Sequence, residues 1–207
     1  MKPVLPLLMA PAMALCIIYP ATAASVRKTY TYFAIGGTTM DEIQAELSAR
    51  GPHVKSTGAR HPGATRMEFN SRVGYSETPK GCTITSAVVT VKANVILPRW
   101  KRPRGVDSEV KFIWGTLESD IRRHEESHVV IAKNHARMLE QKLLSLGRQK
   151  SCAIASSKAE AASEKILAVH DKEQQRFDKI ESINFESRLL RLLQYRYERS
   201  RKKQGGS

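Results

Sequence analysis

Alternation between apolar and polar residues marks three segments in the first half of the chain, at residues 30–35, 65–73 and 82–97. A period of two residues predicts strands that bury one face. The third segment is rich in valine, isoleucine and threonine, and Pro98 is expected to end it. Together the segments predict a small, largely antiparallel sheet.

A short helix is predicted between the first two strands. Thr38 is its expected N-cap, and apolar residues follow at helical spacing as far as Leu47. Gly51 is expected to end the helix. Residues 53–63 are predicted to form a loop and residues 74–81 a turn region, since both are rich in turn-forming residues.

After residue 103 the spacing of apolar residues changes from two residues to the three and four that are typical of a helix. Between Trp114 and Met138, apolar or histidine residues recur at alternating intervals of three and four, which describes one face of a long helix over 107–146. Gly147 is its expected C-cap. A second helical region, residues 153–197, contains neither glycine nor proline. The predicted fold class is therefore α+β, a small antiparallel sheet plus long helices.

The first 23 residues have the order of a secretory signal peptide. Lys2 precedes an apolar stretch at 4–18, and a small-x-small sequence ending at Ala23 follows a proline. The stretch is short for a membrane span, and an uncleaved anchor is the alternative interpretation. Cleavage after Ala23 predicts a periplasmic or secreted protein.

Two cysteines, Cys82 and Cys152, remain after removal of this segment. An even number in an oxidising compartment favours one disulfide, and two buried free thiols are the alternative. A bridge between them would close a loop of about 70 residues, worth roughly 4 kcal/mol in the chain-entropy model.

The formal net charge is +14, which attracts polyanions such as anionic lipid or envelope polymer. Nucleic acid is not an expected partner, because the chain lacks a recognisable nucleic-acid motif and carries an export signal. Residues 188–199 interleave leucines with arginines. This cationic amphipathic segment is the kind that contacts an anionic membrane surface or envelope polymer, but the preferred interpretation is a terminal helix that packs its leucines on the domain with its arginines in solvent.

The sequence His124-Glu125-Glu126-Ser127-His128 carries the candidate chemistry. Histidines four residues apart on a helix lie one turn apart on one face, close enough to bind one Zn²⁺ ion. In zinc peptidases of this pattern, the glutamate after the first histidine accepts a proton from the attacking water. His124 and His128 are therefore candidate zinc ligands and Glu125 the candidate catalytic base. The alternative is a pair of histidines hydrogen-bonded in the core.

Two further features bear on the site. Glu126 falls on the far face of the helix, where solvent is its expected environment. His135 shares the histidine face but lies about 10 Å further along, which is too far to share the ion, so a role in the core or in the wall of the pocket is predicted. The third ligand must come from elsewhere, and the candidates on the following helix are Glu160, Glu164, His170, Glu173, Asp178 and Glu181.

At this point the chain resembles the bacterial family of predicted secreted zinc-dependent proteases catalogued as domain of unknown function 922. The resemblance covers roughly residues 30–178 and is carried by Gly36-Gly37, Gly51-Pro52, Gly81-Cys82, Leu97-Pro98-Arg99-Trp100, His124-Glu125-x-x-His128-x-x-Ile131 and Ser151-Cys152. It implies a zincin-like fold, a bridge between Cys82 and Cys152, and peptidase activity.

One departure affects the ligand set. Members of the family usually continue with a tyrosine-aspartate pair, a threonine and a histidine-glycine pair. Phe177-Asp178 matches the first pair, but Glu181 and Ile183-Asn184 stand at the later positions. Asp178 is the proposed third ligand, with Glu181 or His170 as alternatives.

Two functions follow from these observations. The first is an exported zinc metallopeptidase that acts on a peptide or protein. The second is a catalytically weakened or inactive zincin-like envelope protein that binds anionic partners. The predicted organisation is a signal peptide at 1–23, a zincin-like domain at 24–150, a C-terminal helical region at 151–198 and a disordered basic tail at 199–207.

Overall fold

The computed structural model describes residues 24–55 and 57–204. It has the predicted α+β fold, and the predicted signal peptide, residues 1–23, lies outside the described residues. The elements are β1 (Ser25–Ile35), α1 (Met40–Arg50), β2 (His53–Val54), β3 (Ala59–Arg60), β4 (Ala64–Thr78), β5 (Gly81–Trp100), α2 (Ser108–Leu144) and α3 (Cys152–Gln204).

The main sheet has the order β1-β5-β4 and is mixed rather than largely antiparallel. β4 and β5 form an antiparallel hairpin, whereas β1 pairs with β5 in parallel. Side chains alternate in the same way in both kinds of pairing. The sequence pattern therefore predicted the strands without predicting the direction in which β1 joins the sheet.

The long hairpin corrects two boundaries. Residues 74–81, predicted as a turn region, belong mostly to the strands, with a register shift between Gly74 and Tyr75. Pro98 does not end β5. β4 begins opposite Ile96, so at Pro98 the strand has β1 as its one neighbour, and a missing N–H is tolerated there. The predicted loop at 53–63 contains the short β2–β3 pair.

The N-cap of α1 is Thr39, one residue beyond the predicted Thr38. Its hydroxyl accepts a hydrogen bond from the backbone N–H of Glu42 at 3.2 Å, and the Glu42 carboxylate accepts from the N–H of Thr39. This reciprocal capping box requires a glutamate three residues after the cap. Glu42 therefore selects Thr39, because a cap at Thr38 would have had Asp41 at that position.

α2 begins after Asp107 and lies across one face of the sheet. Alternate residues of β5, including Val89, Val91 and Val95, are fully buried against it. The helix ends at the C-cap Ser145 rather than at the predicted Gly147, which has a φ of 67° in the following turn. The strong alternation of β5 thus fixes which face of the sheet α2 covers.

α3 runs back along α2 and is attached to the sheet at its start. Cys82 and Cys152 form a disulfide with an S–S distance of 2.01 Å, as predicted. The helix continues to Gln204, so the prediction of disorder from residue 199 is wrong for 199–204. Arginine and lysine are good helix formers and are favoured near a helix C-terminus. Within the described residues, no helix is long and apolar enough to cross a membrane.

Candidate metal centre

His124 and His128 lie on the side of α2 that faces α3, and their Nε2 atoms are 3.1 Å apart. Phe177 of α3 packs against both rings, stacked on His124 at 5.0 Å between ring centres and edge-on to His128 at 5.1 Å. The two rings are nearly perpendicular to each other. Phe177 therefore holds the imidazoles in an orientation in which the two Nε2 atoms converge.

Asp178 completes a triangle of ligand atoms. Its Oδ1 lies 3.2 Å from Nε2 of His124 and 3.0 Å from Nε2 of His128. A tetrahedral zinc site with ligands about 2.0–2.1 Å from the metal has ligand–ligand distances of roughly 3.3–3.4 Å. The three observed distances are only slightly shorter. Two imidazole nitrogens and one carboxylate oxygen are also a common donor set for zinc, so these residues fit the ion.

Gln174 determines which nitrogen of His128 carries the proton. Its Nε2 donates to the backbone carbonyl of His128 at 3.1 Å, so its Oε1 must face Nδ1 of His128, 2.6 Å away. An amide flipped the other way would place two oxygens against each other. Nδ1 of His128 is therefore protonated and donates to Gln174. In the metal-free protein a proton on Nε2 forms the hydrogen bond to Asp178, and its loss would leave the Nε2 lone pair directed at Asp178 and His124, as metal binding requires.

Glu181 lies beside Nδ1 of His124, as Gln174 lies beside Nδ1 of His128. Its Oε2 lies 3.5 Å from Nδ1 of His124 and is also paired with Arg123 and Arg188. Burial alone would raise the pKa of Glu181, but the hydrogen bond from Arg123 and the charges of both arginines lower it below its usual range. Glu181 is therefore an ionised acceptor that orients His124 rather than a third ligand.

Arg188 and Arg123 also bind the buried Asp120, which lies one turn before His124 on α2. The side chain of Asp120 is 3% exposed. Burial opposes its ionisation, yet the hydrogen bonds from both arginines lower its pKa below the usual value. The resulting network of two arginines and two carboxylates fixes the position of α3 along α2. It thereby also fixes the position of Asp178 relative to His124 and His128.

Glu125 is buried beside the histidines, with 4% of its surface exposed. The hydroxyl of Thr65 on β4 donates to its Oε2 at 2.8 Å. Gly63 packs against the same carboxylate so closely that a Cβ there would lie 2.8 Å from Oε1. Burial raises the pKa of Glu125, and the hydrogen bond from Thr65 only partly opposes this. A carboxylate held this way is a stronger base than one in solvent.

The pKa values of Asp178 and His128 reflect the attraction between these two side chains. Burial would raise the pKa of Asp178, but hydrogen bonds from His124 and His128 lower it far below its ordinary value. Burial would lower the pKa of His128, and the contacts with Asp178 and Gln174 raise it instead. The carboxylate therefore favours positive charge at this point, which is also what a dication requires.

An open cavity of about 390 Å³ lies beside the triangle. Its walls come from α1, the loop before β4, α2 and α3, and are mostly apolar. The residues that line it include His124, Glu125 and Asp178 on one side and Leu47, Arg60, Leu117, Ile121, Phe185 and Arg188 around the rest. A ligand in this cavity would touch the predicted base and two of the three metal-binding candidates.

The remaining predicted candidates lie outside the triangle. Glu160 and Glu164 are exposed towards the start of α3. His170 is buried and its Nε2 is bound to the amide of Gln174, 2.8 Å away. Glu173 lies beside His135, which is buried as predicted, with its Nδ1 3.0 Å from the carbonyl of Ile131. Glu126 is not merely solvated, because it binds Lys28 and Tyr30 of β1.

Sequence reasoning missed Gln174, Gly63 and Thr65. Gln174 lies four residues before Asp178 and therefore on the same face of α3, which was a usable signal. No comparable signal existed for Gly63 and Thr65, because they reach Glu125 only through the packing of β4 against α2.

The family model described as "Bacterial protein of unknown function (DUF922)" matches residues 30–185 of the chain. The matched segment includes the three triangle residues, Glu125 and both cysteines. Comparisons with curated proteins and with solved structures give no match.

Proposed function

Because this chain belongs to the DUF922 family, whose description assigns no function, we propose one from the geometry of its own residues. The protein is a zinc-dependent metallopeptidase in which His124, His128 and Asp178 hold the ion and Glu125 is the general base. The observation that carries the proposal is the convergence of three ligand atoms from two helices to within 3.0–3.2 Å of one another, with a buried carboxylate next to them.

The chain's own residues supply the remaining requirements of hydrolysis. A zinc ion bound here would lower the pKa of a water molecule and polarise a carbonyl group. Glu125, with its raised pKa, accepts a proton from the nucleophile and returns it to the leaving amine. Thr65 and Gly63 hold the carboxylate in one place, so that the base needs no rearrangement.

The cavity supports a peptide as the substrate. It is open to solvent, and its apolar wall, formed by residues such as Leu117 and Phe185, suits a side chain next to the cleaved bond. The proposal includes export to the periplasm or beyond. The disulfide between Cys82 and Cys152 is consistent with an oxidising compartment.

The test combines metal analysis with a cleavage assay. The purified protein is expected to contain about one zinc per chain and to cleave an unstructured protein such as casein. Chelation abolishes cleavage, and added zinc restores it. The Glu125→Gln variant keeps the metal but loses roughly 10²–10⁴-fold in rate.

Glu126→Gln is the matched control, because it changes the adjacent residue of the same type on the opposite face of α2. It is expected to retain activity. If the protein binds zinc but cleaves no substrate, the zinc site is supported and the peptidase activity is refuted. That result would favour the inactive envelope protein. Equal activity in the Glu125→Gln variant would refute the role of the base.

A further inference from the structure

The outer face of α3 carries an apolar stripe that the fold leaves in solvent. Ile183, Leu190 and Tyr197 follow at intervals of seven residues, which places them on one side of the helix. They are 73%, 60% and 56% exposed. The opposite side of α3 faces α2, since Arg188 binds Asp120 and Arg196 binds Thr116 there.

The same part of α3 is strongly basic. Residues 183–204 contain seven arginines and lysines and two glutamates. Two of the arginines, Arg188 and Arg196, are bound to α2. The other five are exposed and, within residues 24–55 and 57–204, make no ion pair: Arg191, Arg199, Arg201, Lys202 and Lys203.

Tertiary packing adds a second basic segment. Arg196 contacts Thr116, which lies eight residues after the start of α2, and α3 continues for eight residues past Arg196. Because the helices are antiparallel, the start of α2 and the end of α3 lie at the same end of the molecule. We define the basic end as the exposed cations at this end of the molecule, which lie in the connection before α2, at the start of α2 and at the end of α3: Lys101, Arg102, Arg104, Lys111, Arg199, Arg201, Lys202 and Lys203.

We propose that the basic end and the apolar stripe of Ile183, Leu190 and Tyr197 dock the protein on an anionic lipid bilayer surface. Cations attract the acidic headgroups, and the stripe enters the boundary between headgroups and acyl chains. Tyrosine suits that boundary because its ring is apolar and its hydroxyl is polar. This docking is independent of the metal centre and of the proposed catalysis.

Charge and apolar exposure together favour the bilayer over other occupants. A second copy packed on the stripe would set the basic segment 183–204 of one chain against that of the other, and like charges repel. A soluble polyanion would neutralise the cations but would leave the apolar stripe in water. A bilayer satisfies both features. Ser182 and Phe185, which flank Ile183, line the cavity beside the metal centre, so docking would bring that cavity near the membrane.

The test measures binding of the purified full-length protein to vesicles by sedimentation. We expect binding to vesicles containing phosphatidylglycerol, little binding to pure phosphatidylcholine, and release by high salt. Replacing Arg199, Arg201, Lys202 and Lys203 by glutamine should weaken binding by about 100-fold or more. Leu190→Gln with Tyr197→Gln should weaken it by about tenfold.

A matched variant replaces four exposed lysines elsewhere, Lys150, Lys158, Lys165 and Lys172, by glutamine, with circular dichroism to verify folding. All variants share the same N-terminus, so differences among them report on the substituted residues. The proposal is supported if this variant binds like the parent. It is overturned if the matched variant loses as much binding, if neutral vesicles bind equally well, or if the apolar double variant binds without loss.

Discussion

Two pairs of histidines lie between α2 and α3, and within residues 24–55 and 57–204 only one of them belongs to a group of three converging ligand-type atoms. His124 and His128 have Nε2 atoms 3.1 Å apart with Asp178 against both. His135 and His170, with ring centres 5.3 Å apart, also have a carboxylate near them, since Glu173 lies 3.4 Å from Nε2 of His135. The residue types are therefore similar in the two pairs, although the side chain of His124 is 25% exposed and that of His135 only 2%.

The difference lies in the lone pairs. Both nitrogens of His170 are engaged, Nε2 with the amide of Gln174 and Nδ1 with Asp171. His135 has its Nδ1 bound to the carbonyl of Ile131, which leaves one free nitrogen. One free nitrogen and one carboxylate are fewer than the three ligands that catalytic zinc takes. The presence of two histidines is therefore not sufficient for a metal site. The site also requires that the nitrogen facing the metal position can be free of a proton and of a hydrogen-bond partner.

Gln174 produces this difference, because its one amide contacts both pairs. It accepts from Nδ1 of His128 and so frees Nε2 of that residue. It donates to Nε2 of His170 and so occupies the nitrogen that could have bound a metal. Its orientation is set by the backbone carbonyl of His128. A single side chain therefore occupies Nδ1 of His128 in one pair and Nε2 of His170 in the other.

The largest expected effect is the loss of a ligand from the first pair. His128→Ala should weaken zinc binding by about 10²–10³-fold, the loss expected for one ligand if the roughly 10–16 kcal/mol of a four-ligand structural zinc site divides evenly among its ligands. His135→Ala should leave zinc affinity unchanged and lower the melting temperature instead, because it opens a cavity in the core. Competition with a chromogenic chelator measures the affinities. Equal losses in both variants would contradict the comparison.

Asp178 and Glu173, the carboxylates beside the two histidine pairs, offer a second contrast, with a similar or slightly smaller loss of zinc affinity expected. Asp178→Ala should reduce zinc affinity by about 10²-fold, because the anionic ligand is removed from the triangle. Glu173→Ala removes a carboxylate from the same helix beside the second pair and should have no effect on zinc. Isothermal titration with zinc measures the affinity of both variants. A metal-binding defect in Glu173→Ala would indicate that the metal binds at His135 and His170 instead of His124 and His128.

Removal of the shared amide should have an intermediate effect. Gln174→Leu frees His128 to adopt either tautomer, and loss of such a supporting contact typically costs 10–100-fold in metal affinity. The absorption spectrum of the cobalt-substituted protein should broaden as the ligand geometry relaxes. Gln175→Leu, at the exposed neighbouring position, is the control and should behave like the parent. An unchanged cobalt affinity in Gln174→Leu would remove Gln174 from the site.

The smallest expected effect is on stability. It concerns Glu125, the buried carboxylate that lies beside His124 and His128. The folded-state pKa of Glu125 is raised by burial, so its ionisation destabilises the fold as pH rises above the unfolded pKa. In metal-free protein, Glu125→Gln should therefore raise the melting temperature at pH 7 by about 2–4 °C, the shift that 1 kcal/mol produces in a domain of this size. The gain should disappear near pH 4.

Glu126→Gln provides the opposite sign at the adjacent residue. Burial works against the ionised form, but Lys28 and Tyr30 lower the pKa of Glu126, so its contribution is present at neutral pH and lost as pH falls through the folded pKa. The exposed pair is worth about 0–1 kcal/mol. Scanning calorimetry at both pH values tests both variants, and a stabilised Glu126→Gln or a pH-independent Glu125→Gln would reject the assigned environments.

Local pattern was sufficient for the elements themselves. The three strands, the long helix with its histidine face, and the second long helix all follow from periodicity, because buried faces repeat at the spacing of the backbone. The capping of α1 was one residue off, since Thr38 and Thr39 both have the right side chain and only the position of Glu42 distinguishes them. The direction of β1 could not be predicted, because pairing partners are chosen over long sequence distances.

The sequence by itself determined the chemistry available on α2, a pair of histidines and a glutamate at fixed spacing, since one helical turn sets their geometry without help from the rest of the chain. Tertiary structure decided everything contributed from another element. Asp178, Gln174, Gly63 and Thr65 reach the histidines and Glu125 only after α3 and β4 have packed against α2. The physical reason is reach: hydrogen bonds and metal ligation act over about 2–3 Å, and only packing brings residues distant in sequence that close.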